Sequence, residues 1–348
     1  MLPNIAIRVS RKKKATLEPS GAIYSPRLPS QIRYLSIAVG TPVTRCPPHR
    51  PGLALISASG SSLRGTLRRA EIVRYDLHNH EFVPYLHGVS AEGLSFSRDA
   101  RWVTYISYPD GTLWRSKIDG SDRLQLTFPP LQVTLPRWSP DGRQIAFLAH
   151  LPGRPFNIYL MSADGGTPQQ ILLDGQDRMD ANWSPDGNSL VFGGFNIPNT
   201  PISIVDLKTT RVSTLPGSIG LFSPRWSPDG RYICAITAGP PFKLILFDFT
   251  TQKWMPLFGS DMSFPTWSHD GRYIYFEHSH NLGHNGSQTI DRIRLSDHNV
   301  ETVADLKRVG RMITGTFAGW SGLAPDDSPL VSRDISTHEI YALQWEAP

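Results

Sequence analysis

The sequence has little cysteine and no long apolar run. Only two cysteines, Cys46 and Cys234, occur in 348 residues, too few for a disulfide framework or a thiolate metal site. No stretch reaches the ~18 apolar residues of a membrane-spanning helix, and the basic start is not followed by the apolar core of a secretory signal. We therefore predict neither a signal peptide nor a membrane span, and favour a cytoplasmic location.

Patterns of helices and of nucleophilic active sites are also scarce. Turn residues come roughly every ten positions, and no apolar period of 3.6 residues is sustained between them. The nearest approach to a Gly-x-Ser-x-Gly nucleophile motif is Gly319-Trp320-Ser321-Gly322, which lacks the strand-to-helix context of that motif. The sequence thus predicts an all-β protein without a catalytic set.

Positive charge is concentrated at the N-terminal end. Residues 1–70 contain 12 Lys and Arg residues against Glu18 alone, a charge of +11, and the other 278 residues hold 23 basic and 29 acidic residues, a charge of −6. Residues 1–52 are rich in Arg, Lys, Pro and Ser, which predicts a mostly disordered basic leader. The Arg11–Lys14 run has no interleaved aromatics, so we interpret it as a solvated tail rather than a site for nucleic acid or anionic lipid.

One motif, Trp-Ser-Pro-Asp-Gly, is present in excess. Its copies begin at Trp138, Trp183 and Trp226, with variants at Phe96 (FSRDA) and Trp267 (WSHDG), and a weaker variant at Trp320 with Asp326 and Asp327. Ser, Pro, Asp and Gly in this order meet the demands of a type I turn closed by a residue with positive φ. Each copy therefore predicts a strand, a tight turn and a second strand, with the aspartate capping the turn rather than binding calcium.

The spacing of the motif indicates the architecture. The aromatic residues are 42, 45, 43, 41 and 53 positions apart, the range typical of propeller blades. A closed ring of blades buries both faces of each sheet. We predict a β-propeller of four-stranded antiparallel blades over residues 53–348.

The ring can close in two ways, and the sequence allows both. A strand at 82–86 completes the last blade and gives six blades, or the N-terminal strands form a blade of their own and give seven. The segment Ile72–Asp76 repeats the pattern of the third strands Ile204–Asp206 and Leu246–Asp248, which favours seven. Thr316–Ser321, Pro329–Arg333 and Glu339–Trp345 are predicted as the last three strands.

The motif, together with Ile158–Gly166 (IYLMSADGG), resembles the TolB-type propeller repeat. Gly111–Ser116 and Glu339–Trp345 resemble propellers at the C-terminal end of bacterial winged-helix regulators and Ser/Thr kinases. The resemblance implies a non-enzymatic module that senses a ligand or binds a protein in a bacterial signalling or transcription-regulatory system. Whether an upstream effector domain is missing stays open.

A propeller enzyme, hydrolase or lyase, that uses the central funnel is the alternative function. The propellers of prolyl oligopeptidase-like enzymes are similar, but there an α/β-hydrolase domain carries the triad, and we expect none after Trp345. Propeller lyases hold a metal with inner-strand histidines, whereas the residues before the aromatics here are Arg137, Asn182, Arg225 and Thr266. We predict no enzyme activity and no cofactor.

Three histidines, His278, His280 and His284, form the densest set of potential metal ligands. Imidazoles at such spacing can hold a transition metal. The surrounding Asn and Gly residues indicate a flexible segment, and no fourth ligand is evident. We interpret the trio as part of a solvated loop and predict no metal site.

The candidate ligand-binding residues are Arg137, Asp180, Asn182 and Arg225. They belong to the predicted inner strands and could face the channel axis, where they would bind a polar ligand or an acidic residue of a partner protein. The competing interpretation is that the arginines pair with acids of the adjacent blade. No strong nucleic-acid signal lies in the predicted propeller.

Overall fold

The computed structural model describes residues 62–345 apart from 195–196, 240–241, 281–286 and 313–318, together with four short strands nearer the N terminus. The chain divides into two compact units, Ala70–Asp334 and the two terminal segments, Met1–Arg69 with Ile335–Pro348. Among the described residues, no helix has the length and apolar character that crossing a bilayer requires.

The unit of terminal segments contains two small antiparallel sheets. The larger sheet has the strand order Ile7–Ser10, Thr337–Trp345, Ser62–Leu67, Leu35–Ile37. The smaller sheet pairs Ala22–Tyr24 with Leu53–Leu55. Most of the predicted leader, residues 1–52, lies outside the described residues.

The unit Ala70–Asp334 contains six sheets of four antiparallel strands, numbered here as blades 1 to 6 with the inner strand first. Blade 1 consists of Ala91–Phe96, Trp102–Ser107, Thr112–Lys117 and Leu124–Gln125. Blade 2 consists of Gln132–Trp138, Gln144–His150, Asn157–Ser162 and Gln169–Gln170. Blade 3 consists of Arg178–Trp183, Ser189–Gly194, Ser203–Asp206 and Val212–Thr214.

The other three blades complete the ring. Blade 4 consists of Leu221–Trp226, Tyr232–Thr237, Lys243–Asp248 and Lys253–Gly259. Blade 5 consists of Met262–Trp267, Tyr273–His280, Ser287–Arg294 and Val300–Asp305. Blade 6 consists of Ser321–Leu323, Pro329–Asp334, Ala70–Asp76 and Glu81–Pro84. Two 3₁₀ turns, Leu86–Gly88 and Ile197–Asn199, lie in connections.

The motif turns hold the first two strands of each blade together. In blade 2, the Ser139 hydroxyl donates to Asp141 Oδ1 at 2.6 Å, and the same oxygen accepts the Arg143 N–H at 3.0 Å. Equivalent bonds from the Arg272 N–H and the Ser268 hydroxyl lower the pKa of Asp270 to about 2. The motif aspartates therefore act as turn caps, as the sequence predicts.

The core lies between the blades. Ile106 and Leu113 of blade 1 pack with Ile145 and Phe147 of blade 2, and similar clusters fill the other junctions. The inner strands of blades 5 and 6 contact each other, as do those of blades 6 and 1. The ring therefore closes with β-branched and aromatic side chains buried between neighbouring sheets.

Each inner strand of blades 1 to 5 carries a β-bulge three residues before the motif aromatic. The registers shift there, and the bulge residue is left-handed, with a φ of 49° at Leu135, 53° at Asp180 and 54° at Ser223. Non-glycine residues seldom take this conformation. Bulges redirect neighbouring side chains, and here they stand two residues before the positions that line the central cavity.

The predicted fold class is confirmed, with six blades rather than the preferred seven. The expectation that Ile72–Asp76 is a third strand is correct, but its partner is Pro329–Asp334 at the far end of the propeller. Thr337–Trp345, which overlaps the predicted third strand Glu339–Trp345, pairs instead with Ser62–Leu67. An alternating strand pattern specifies a half-buried strand but not its partner.

The sixth motif also differs from the prediction. In blade 6 the Asp327 N–H donates to the Ala324 carbonyl at 3.0 Å, as the Gly142 N–H does to that of Ser139. The motif is therefore Leu323-Ala324-Pro325-Asp326-Asp327. Trp320, the aromatic residue of the predicted sixth motif, lies three residues before Leu323. The prediction placed Trp320 in the motif because an aromatic residue is a more visible signal than a leucine.

Candidate functional site

A cavity with a volume of about 230 Å³ lies at the centre of the ring. Residues of all six inner strands line it, and His269 of a motif turn lies at its edge. The lining side chains are polar, cationic or aromatic, apart from Leu94 and Leu323, which are aliphatic. Those used below are Ser95, Arg137, Asn182, Arg225, Trp226, Thr266, Trp267, His269 and Trp320.

Two arginines of the cavity lining, from blades 2 and 4, meet a carboxylate of blade 3 behind the cavity wall. Arg225 Nη2 lies 2.8 Å from Asp180 Oδ2, and Arg137 Nη2 lies 3.6 Å from Asp180 Oδ1. The Ser223 hydroxyl also donates to Asp180 Oδ2, at 2.6 Å. Asp180 and Arg225 are 6% exposed, whereas Arg137 is 18% exposed. One buried carboxylate is thus shared by two guanidinium groups.

The cluster carries one excess positive charge. Burial would raise the pKa of Asp180, but the guanidinium groups of Arg225 and Arg137 outweigh it and hold that pKa below its ordinary value. Burial, followed by repulsion from Arg225, lowers the pKa of Arg137 to about 10, so this residue remains protonated at neutral pH. No carboxylate is among the described residues that line the cavity.

Asn182 and Ser95 connect neighbouring blades. Asn182 Oδ1 accepts the Trp226 backbone N–H at 2.8 Å, and the Ser95 hydroxyl accepts that of Trp138 at 2.9 Å. A third bond joins blades 3 and 2, in which Trp183 Nε1 donates to the Arg137 carbonyl at 3.0 Å. The cavity wall is therefore fixed by bonds between blades, which preorganises its polar groups for a ligand.

His269 stands where blades 2 to 4 have the motif proline. Its Nδ1 lies 2.6 Å from Asp327 Oδ1 of blade 6, and its backbone N–H donates to the same oxygen at 3.1 Å. The bond to Asp327 raises the pKa of His269. At mildly acidic pH this residue is protonated and forms an ion pair with Asp327 at the edge of the cavity.

The structure brings the four predicted site residues together. Arg137, Asp180 and Arg225 form the ion cluster, so the pairing of arginines with an acid of the adjacent blade is present, and Asn182 lies on the same cavity wall. The prediction missed His269, although its replacement of a motif proline was a visible signal. It also missed the bulges, which have no sequence signal because their residues differ from blade to blade.

Within the part of the chain that the structure describes, the histidine trio does not form a metal centre. His278 lies in a strand and is 7% exposed, so the predicted solvated loop is wrong for this residue. The side chains of His280 and His284 lie outside the described residues. Among the described side chains, no group of three His, Cys, Asp or Glu residues is arranged to hold a metal ion.

The buried cysteine is not a nucleophile at neutral pH. Cys234 is 0% exposed in the second strand of blade 4, in agreement with its interpretation as a small core residue. Burial raises the pKa of its thiol to about 12. The thiolate that nucleophilic chemistry needs is therefore not populated at neutral pH.

Comparison with known proteins places the repeat in a family. A family model described as the TolB beta propeller domain matches residues 72–291. The chain is 30% identical over 113 residues to an uncharacterized protein of Agrobacterium fabrum, covering 29% of this chain and 39% of that protein. It is 35% identical over 83 residues to the Tol-Pal system protein TolB of Alcanivorax borkumensis, covering 23% of this chain and 19% of that protein.

A third relative is an uncharacterized peptidase of Bacillus subtilis, 28% identical over 166 residues, or 47% of this chain and 24% of that protein. The matches thus span less than half the length of each of these relatives. Among solved structures, a TolB-type protein from Agrobacterium tumefaciens superposes with a TM-score of 0.60 at 19% identity, covering 81% of this chain and 99% of that one.

An oligogalacturonate lyase from Vibrio parahaemolyticus superposes with a TM-score of 0.52 at 10% identity, covering 76% of this chain and 97% of that one. At these identities the two structures show a common fold and no more.

Proposed function

This chain belongs to the TolB β-propeller domain family, and on that premise we propose that it acts by binding, as a ligand-sensing or protein-interaction module of a bacterial signalling or transcription-regulatory system. The observation that carries the proposal is the excess positive charge in the central cavity, where Arg137 and Arg225 share Asp180 alone. A partly desolvated guanidinium binds a carboxylate strongly and with defined geometry.

The size of the cavity restricts what can enter it. Its volume of about 230 Å³ is below the ~300–1,000 Å³ of sites for drug-sized ligands. A single acidic side chain, or a small polar ligand with one carboxylate, fits this space. Trp226, Trp267 and Trp320 supply apolar wall around it. We propose that an acidic residue of a partner protein enters the cavity and accepts hydrogen bonds from Arg137.

Arg137 is the residue to test because its substitution leaves one positive and one negative charge in the ion cluster. The Arg137→Gln variant removes the excess cation and retains the one-to-one pair of Arg225 with Asp180. Arg143→Gln is the matched control, since Arg143 is exposed on a motif turn and contacts the turn through its backbone N–H. Both variants lose one positive charge, but only the first loses it from the cavity.

The experiment is a selection of random decapeptides against the full chain, followed by titration of the synthesised peptides. We expect selected peptides to share an Asp or Glu at one position, and to bind Arg137→Gln at least ~10-fold more weakly, a change of ~1.4 kcal/mol. Binding to Arg143→Gln should equal that of the wild type. Peptides without a common acidic residue, or equal affinity for both variants, would refute the proposal.

A propeller enzyme acting in the funnel is the rival. The histidine that lines the cavity, His269, lies on a turn and bonds to Asp327, so we propose binding in preference to lyase chemistry there. Thermal unfolding with Zn²⁺ or Mn²⁺ separates the two, because a tight metal site raises the melting temperature. The cytoplasmic location favoured by the sequence remains a prediction.

A further inference from the structure

A second group of polar side chains lies in blade 5 and at its junction with blade 4, outside the central cavity lining. The Ser260 Oγ is 2.7 Å from His278 Nε2, and His278 Nδ1 is 2.7 Å from Asp291 Oδ2. The three side chains thus form a continuous hydrogen-bonded array of a hydroxyl, an imidazole and a carboxylate.

The fold holds the array on rigid elements with its hydroxyl outermost. Ser260 lies in the short connection between Lys253–Gly259 and Met262–Trp267, while His278 and Asp291 lie on the adjacent second and third strands of blade 5. Asp291 is 2% exposed and His278 is 7% exposed, whereas Ser260 is partly exposed. The serine is therefore the most exposed member of the array, while the imidazole and the carboxylate are held in the interior.

The bond pattern determines which atoms donate protons. A carboxylate only accepts hydrogen bonds, so His278 must carry a proton on Nδ1 to bond with Asp291. In the neutral ring Nε2 is then an acceptor, and the Ser260 hydroxyl donates to it. This is the arrangement in which a histidine acts as a general base towards a serine, with the carboxylate fixing the ring and its tautomer.

The surroundings of Ser260 offer further features of a reactive centre. Among the hydrogen bonds of the described residues, none is donated by the backbone N–H groups of Ser260 or Asp261. Backbone N–H groups stabilise a developing oxyanion when they point towards it. The Phe258 ring packs edge-on against His278, with 5.5 Å between ring centroids. Phe258 is thus a partly buried apolar side chain next to the imidazole.

We propose that Ser260 is a nucleophile for carboxylic esters, with His278 as its general base and Asp291 as the residue that positions the imidazole. This inference goes beyond the binding function of the cavity. The Ser260 oxygen attacks the ester carbonyl carbon and its proton passes to His278 Nε2. The bond from that carbon to the alcohol oxygen breaks, and the alcohol leaves with the proton. Water then attacks the acyl-serine, returns a proton through His278 and releases the acid.

The test uses a fluorophosphonate probe on the full chain, in which the serine oxygen displaces fluoride from phosphorus. We expect mass spectrometry to find the label on Ser260 of the wild-type protein. Ser260→Ala should abolish labelling, and His278→Gln should slow it at least ~100-fold, since general bases contribute ~10²–10⁴-fold. Ser213→Ala is the control, because Ser213 is exposed on an outer strand of blade 3.

The positioning role of Asp291 has its own test. Asp291→Asn retains the size of the side chain but removes the carboxylate, and should slow labelling at least ~100-fold, as the loss of the correct tautomer does in serine hydrolases. Asp291→Glu, which restores the carboxylate, should regain part of the rate.

An absence of label on wild-type Ser260 would overturn the proposal, and this measurement needs no variant to fold. Equal labelling of His278→Gln or of Asp291→Asn would also overturn it. The hydrolysis of p-nitrophenyl acetate by the same set of proteins gives a second readout, with the same order of rates expected.

Discussion

The contact between consecutive motif turns is made by different residues among blades 2 to 5 and at blade 6. At three junctions the motif glycine of one blade faces the motif proline of the blade before it. A β-carbon built on Gly187 would lie 3.7 Å from Pro140, and one on Gly271 would lie 3.6 Å from Pro228. At the junction of blades 5 and 6 the same two positions hold His269 and Asp327, which bond at 2.6 Å.

This difference shows that two kinds of residue pair can join consecutive motif turns. At these four junctions consecutive motif turns are in contact, and either van der Waals packing or an ion pair provides the contact. Blade 6 also has Leu323 in place of the motif tryptophan, and its inner strand pairs with the second strand without a register shift. The blade that joins the two ends of the propeller thus departs most from the repeat.

The largest expected effect is at a regular motif aromatic. Trp267 is 8% exposed and its Nε1 donates to the Arg225 carbonyl at 3.0 Å. Trp267→Ala should lower the free energy of unfolding by about 3–5 kcal/mol through the cavity it leaves. Urea denaturation measures this loss. A change below about 1 kcal/mol would show that the motif aromatic does not support the ring.

The next effect concerns the ion cluster, which blade 6 does not share. Asp180→Asn keeps the size of the side chain and tolerates the left-handed backbone, with its φ of 53°. It leaves Arg137 and Arg225 buried without a counter-charge, so we expect a loss of about 3 kcal/mol. The double variant with Arg225→Met should recover part of that loss. If the single variant is as stable as the wild type, the cluster does not hold blades 2 to 4 together.

A smaller effect is expected at the blade 6 position equivalent to Trp267. Leu323 is only partly buried, against the core between blades 5 and 6. Leu323→Ala should cost about 1–2 kcal/mol, below the 2–5 kcal/mol of fully buried leucines. The same urea series as for Trp267→Ala gives the value. A loss equal to that of Trp267→Ala would remove the distinction between blade 6 and the regular blades.

The smallest effect is the pH dependence of the His269–Asp327 junction. The hydrogen bond with Asp327 raises the pKa of His269 above 6.5, so the pair stabilises the folded state fully below pH 6.5. This stabilisation is lost as the pH rises through the elevated pKa of the folded state. The His269 side chain is 59% exposed, which limits the contribution to less than about 1 kcal/mol.

Unfolding midpoints at pH 5.5 and pH 8.5 test this junction. The double variant His269→Pro with Asp327→Gly, which restores the residues of the regular junctions, should lose part of the pH dependence seen in the wild type. His298→Asn is the control, because His298 is exposed and asparagine tolerates its left-handed φ of 57°. An identical pH dependence in the wild type and the double variant would contradict the expected role of the pair.

The candidate site was predictable in part. Arg137, Asn182 and Arg225 directly precede the motif aromatic, so locating the motif also located them on the inner strands. The sharing of Asp180 by two arginines depends on three strands of three blades, which are 43 to 45 residues apart in sequence. The Ser260–His278–Asp291 array was missed because its members come from a connection and two different strands, and are separated by 18 and 13 residues in sequence.

The sequence by itself determined the period, the tight turn of each unit and the all-β class, because turn chemistry depends on a few consecutive residues. Only the tertiary structure decided that Ala70–Asp76 joins Pro329–Asp334 and that the ring has six blades. Many amphipathic strands in this chain have similar faces, and their pattern does not distinguish one partner from another. The geometry of a closing ring selects the partner, and with it the side chains that meet in the central cavity.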